Sequence, residues 1–81
     1  MKLKSDIIRS ETLKNMGNRE LYGLASDLLN GADSKSPNCF DPRTVALAKI
    51  EYSSNTEIES MFYLSREVYK ECAYRLLTSK S

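Results

Sequence analysis

The chain of 81 residues contains no histidine and no tryptophan, only two cysteines, three glycines and two prolines. Each shortage excludes something. Without histidine the commonest general base, the commonest zinc ligand and the physiological-pH switch are all missing. Two cysteines and no histidine make only half of a tetrahedral set, so no metal and no cofactor is expected. The glycines Gly17, Gly23 and Gly31 stand in separate contexts and form no phosphate-cradling loop. Apolar runs reach only four residues, as in Val45-Ala46-Leu47-Ala48, far short of the roughly 20 that a bilayer span needs. Lys2 and Lys4 imitate the basic start of a signal peptide, but Asp6, Arg9 and Glu11 interrupt the stretch that should follow. A cytoplasmic protein that keeps its N-terminus is expected. Excess charge of one sign is absent as well: twelve basic and eleven acidic residues leave +1.

What is present reads as helix. Hydrophobic residues make up 41% and charged residues 28%, enough for one small folded domain over 1–81 with a thin core. Four segments carry helical signals, at about 6–15, 19–30, 42–53 and 56–78, and the fold class is an all-α bundle of three to four helices. The first is expected to start at Ser5 with Asp6 against its dipole and to stop near Gly17. In the second, capped by Asn18, Leu21, Leu24, Ala25 and Leu28 share one face, widened by Tyr22 and Leu29. Asn30-Gly31 supplies a left-handed stop. Gly23 inside it either admits a close neighbour or is simply tolerated, at about 1 kcal/mol relative to Ala. A loop over 32–40 follows, with Cys39 and Phe40 tucked back as an anchor. The third helix starts at Asp41 with Pro42 in the first turn, where a missing N–H costs nothing. Its apolar residues surround much of its circumference, which places it centrally.

Ser54 and Glu57 have capping-box spacing and open the last and longest helix. Along it Ile58, Met61, Phe62, Ser65, Val68, Tyr69, Cys72 and Leu76 recur at steps of three and four, one broad arc that is expected to face the core. Glu71 and Arg75 form an i, i+4 ion pair worth a few tenths of a kcal/mol. The tail 79–81 should fray. Cys72 on the apolar arc behaves as a small hydrophobe, and both cysteines are expected to be free thiols.

The functional reading is mostly one of exclusion. Carboxylates pair as Glu57/Glu59 and Glu67/Glu71, and the second pair lies one turn apart on a helix face, a spacing compatible with acid–base work or a metal. Arg66, Lys70 and Arg75 lie among the second pair, so a charged helix face is the simpler account, and no enzyme is expected. More than twenty residues of amphipathic helix exceed what short neighbours cover, which points to self-association or a protein partner. The chain is therefore read as a small adaptor, regulator or inhibitor acting through protein–protein contacts. Its candidate contact residues are Tyr63, Glu67, Lys70 and Tyr74, at i, i+4, i+7 and i+11 and nearly opposite the apolar arc. The simpler account of the two tyrosines is half-exposure, or cover by the first helix. The alternative function is a nucleic-acid-binding regulator that uses the basic N-terminal segment Lys2, Lys4, Arg9, Lys14 and Arg19. No membrane partner is expected.

Overall fold

The computed structural model describes residues 7–32 and 40–79. Ser5 and Asp6, the loop residues 33–38, Cys39, and the tail residues Lys80 and Ser81 lie outside the described residues. Four helices follow one another: α1 Glu11–Lys14, α2 Asn18–Ala32, α3 Pro42–Glu51 and α4 Glu57–Thr78. Among the described residues there is no strand, and the molecule is an all-α bundle with a long C-terminal helix.

The chain enters α1 later than its sequence suggests. Residues 7–10 are not helical, and Ser10 is the N-cap, its side-chain oxygen accepting from the Leu13 N–H. Ser5-Asp6 and Ser10-Glu11 offer the same local signal. The second is used, and it brings Leu13 into the core at 1% exposure. α2 buries Leu21 and Leu28 and partly covers Leu24 and Ala25, the face its periodicity predicts. Tyr22 and Leu29 do not widen that face; both are exposed. Asn18 opens α2, and its side-chain oxygen accepts from Arg75 Nη1 at 2.6 Å, a tie to α4.

Gly31 is not a left-handed stop, because no described glycine has a positive φ and the helix continues to Ala32. It is glycine for a steric reason: the Phe40 ring occupies the space where a Cβ would stand. Phe40 is therefore the anchor that returns the chain to the bundle. Gly23 has nothing within 4 Å of its Cβ position, so no neighbour requires it. Gly23→Ala should raise stability by about 0.5–1 kcal/mol in urea unfolding, since Ala constrains the unfolded chain more. Gly31→Ala should lower it by about 1 kcal/mol, because displacement of the ring outweighs the same helical gain. In a Phe40→Ala background the sign of Gly31→Ala should reverse.

Asp41 caps α3 as expected, accepting from the Arg43 N–H at 2.9 Å with Pro42 at the first helical position. That hydrogen bond holds the Asp41 carboxyl below its ordinary range. The Asp41 N–H in turn donates to Asp27 Oδ2 of α2 at 3.2 Å. α3 is not the central helix. Thr44 and Ala48 are buried, while Ile50 is exposed. The central element is α4, which packs on α1, α2 and α3, whereas α3 packs mainly on α4 and only slightly on α2. The α4 cap lies two residues beyond Ser54: Thr56 Oγ1 accepts from the Glu59 N–H at 3.1 Å, and the Ser54 hydroxyl donates to the Glu59 carboxylate. At the other end the Ser79 N–H closes on the Arg75 carbonyl at 2.8 Å, so Ser79 caps the helix. With 22 residues, α4 is about 33 Å long, close to the molecule's 38 Å greatest extent.

Candidate interaction surface

The arc of apolar residues on α4 divides in two. Met61, Leu64 and Val68 are buried, the last two completely, and they form the core with Leu13, Leu21, Leu28 and Ala48. Leu64, outside the predicted arc, is central to it. Ile58, Phe62, Tyr69 and Leu76, expected inside, are 64%, 70%, 36% and 75% exposed. At about 100° per residue these four fall within ~40° of one another, and the stripe is turned about 100° from the buried face. It extends ~27 Å along the helix. Ser65 and Cys72 lie on the same line, partly covered, at the border with the core.

The reason for this rotation is Glu71. It is 1% exposed, the only buried carboxylate among the described residues. Arg9 binds it in a two-pronged contact, Nε to Oε1 and Nη2 to Oε2, both at 2.8 Å, and Arg75 Nε reaches Oε2 at 2.8 Å. The Arg9 guanidinium also lies over the Tyr74 ring, 3.8 Å from its centre. Arg75 Nη2 donates to the carbonyls of Leu13, Lys14 and Met16, at the end of α1 and in the turn that follows it. The Glu71–Arg75 contact is thus not a surface pair worth a few tenths of a kcal/mol. It is the centre of a network joining the residues around α1 to α4. Hydrogen bonds from Arg9 hold the Glu71 carboxyl below the usual glutamate range, against the opposing effect of burial. A lone Glu within the run Leu64, Val68, Glu71, Arg75 is the signal that would have revealed this face.

The four candidate contact residues do not form one open patch. Tyr63 is half-exposed, but Tyr74 is partly covered by Arg9, the arrangement in which the N-terminal segment shields this face. Glu67 and Lys70 pair with one another at 2.9 Å. Of the basic set, Lys2 and Lys4 lie outside the described residues. Arg9 is committed to Glu71, Lys14 pairs with Glu11 at 3.4 Å, and Arg19 is exposed on α2. Arg9, Lys14 and Arg19 are not gathered by any contact into one patch.

Other chemistry is sparse. Cys72 is a free thiol, and burial pushes its pKa up, which disfavours the reactive thiolate. Among the described residues no group of three or more Cys, Asp or Glu converges to hold a metal ion. An open groove of about 390 Å³ runs between α2 and the start of α3, edged by Glu20, Asp27, Asp41 and Arg43 over Leu24 and Leu47. Two of its three carboxylates are engaged locally, Asp27 with the Asp41 N–H and Asp41 with Arg43. No described helix is long and apolar enough to cross a membrane. The apolar stripe on α4 is left as the largest feature without a structural task. No family model, curated protein or solved structure matches this chain.

Proposed function

We propose that this chain is a small non-enzymatic helical module that acts through protein–protein contacts, with the exposed stripe of α4 as its contact surface. The observation that carries this reading is Ile58, Phe62, Tyr69 and Leu76 aligned on one helix face and turned away from the core. Scattered exposed apolar residues need no explanation, but a continuous row on a rigid helix does. Phe62 and Tyr69 supply the kind of aromatic anchor that dominates interface energetics. The buried charge network supports the reading from the other side, because it takes Glu71 and Arg75 of α4 to the inner face.

The test is side-by-side affinity purification of the wild type and a variant carrying Phe62→Lys and Leu76→Lys from the native host. Both residues are exposed, so the variant should keep the wild-type circular dichroism spectrum and melting temperature. The wild type should recover a protein complex, of like or unlike chains, that the variant loses. Recovery of the same proteins by both, or of none by either, overturns the proposal.

A further inference from the structure

The spacing along the stripe says more about its partner. Ile58, Phe62, Ser65, Tyr69, Cys72 and Leu76 are separated by 4, 3, 4, 3 and 4 residues, the seam of a coiled coil over nearly three heptads. This spacing reads the same in both directions about a point near residue 67. If a second copy of α4 lies antiparallel on the first with that point as the two-fold axis, each seam position meets another seam position. Ile58 then faces Leu76 of the second copy, Phe62 faces Cys72, and Tyr69 faces Ser65. Every ring is set against a small side chain, which is how facing layers interdigitate at native density. The parallel alternative stacks Phe62 on Phe62 and Tyr69 on Tyr69, and leaves Ser65 on Ser65 and Cys72 on Cys72 as thin layers.

Resting on the protein-contact reading above, we infer that the α4 stripe is the interface of an antiparallel homodimer. The area is sufficient. The exposed portions of the four large side chains present on the order of 500 Å² per chain, so about 1,000 Å² in total before flanking contacts, the lower bound for a specific interface. The geometry is open, since the core face lies about 100° from the stripe and the two bundles stand beside, not between, the paired helices. One residue opposes the arrangement. Arg66, exposed beside the seam and next to the axis, approaches Arg66 of the second copy. Arg66→Gln is therefore expected to tighten the dimer severalfold, by removing a like-charge contact.

Sedimentation equilibrium of the purified full chain tests the association. The wild type should be dimeric at about 100 µM, and Phe62→Lys with Leu76→Lys should weaken the dimer about thirtyfold or more, with the melt retained. Orientation is tested by disulfide exchange in a background carrying Cys39→Ser and Cys72→Ser. Ile58→Cys and Leu76→Cys chains, made separately and mixed under oxidising conditions, should cross-link to each other in preference to themselves. Preferential 58–58 and 76–76 links overturn the antiparallel register. A wild type that is monomeric throughout overturns the homodimer. If the stripe variant still loses a different protein in the affinity experiment, only the identity of the partner has failed, and the broader functional reading stands.

Discussion

Glu71→Ala should destabilise the protein by about 3–5 kcal/mol, the cost of removing one member of a buried ion pair and leaving its partners uncompensated. For 81 residues the whole folding free energy is about 4–12 kcal/mol, so about a quarter or more is at stake. The melting temperature should fall by at least about 12 °C. The size of the effect follows from how many contacts converge on one carboxylate. Without it Arg9 loses both of its hydrogen bonds and its position over Tyr74. Arg75 loses the contact that aims its guanidinium at the carbonyls of Leu13, Lys14 and Met16. The N-terminal segment and α1 should then loosen together, visible as early amide exchange at Leu13. A surface pair gives the contrast. Lys49 and Glu57 lie 3.1 Å apart with both side chains more than half exposed, and Lys49→Ala should change stability by no more than about 0.5 kcal/mol.

The same network sets the acid limit of the fold. Arg9 holds the Glu71 carboxyl below its ordinary value, so the folded state binds its proton less readily than the unfolded state does. This contribution is fully present above about pH 4.3, the ordinary glutamate value, and fades as pH falls through the lower folded value. Asp41, lowered by the hydrogen bond from the Arg43 N–H, acts in the same direction. Urea midpoints should therefore be level near neutrality and drop in acid. Glu71→Gln should lower the neutral plateau and flatten the acid limb. An unchanged acid limb in Glu71→Gln would mean that other groups set it.

The parts of this fold that could be read from the sequence are those determined by local chemistry. Asp41-Pro42 admits one reading, and α3 starts there. The face of α2 follows from Leu21, Leu24, Ala25 and Leu28, with no competing stripe. Where two local signals were equivalent, the sequence did not choose. Ser5-Asp6 and Ser10-Glu11 are alternative starts for α1, and Ser54 with Glu57 and Thr56 with Glu59 are alternative boxes for α4. The rotation of α4 is the instructive case. Its best apolar repeat, from Ile58 to Leu76, is the exposed one. The core repeat of Met61, Leu64 and Val68 continues into Glu71 and Arg75, which look like surface charges. Only Arg9, 62 residues away in sequence, makes Glu71 a core residue, and no periodicity encodes a partner at that distance. The candidate contact residues share this difficulty: cover by the first helix is the simpler account of Tyr63 and Tyr74, but helical spacing does not identify Arg9 as the residue that lies over Tyr74.

Two truncations within one turn of α4 distinguish these faces directly. Leu64→Ala should cost about 2–5 kcal/mol, since Leu64 is fully buried and its loss leaves a cavity in a core with few residues to close it. Phe62→Ala removes a larger side chain only two residues away, yet it should change monomer stability by less than about 0.5 kcal/mol, because its ring is already mostly in water. Unfolding must be followed at low protein concentration, where association adds nothing to the apparent stability. At high concentration the two should separate further: Phe62→Ala should lose the concentration dependence of the melting temperature, and Leu64→Ala should keep it from a lower starting point. Equal losses for the two variants at low concentration would place Phe62 in the core. That result would remove the exposed stripe on which the functional proposal depends.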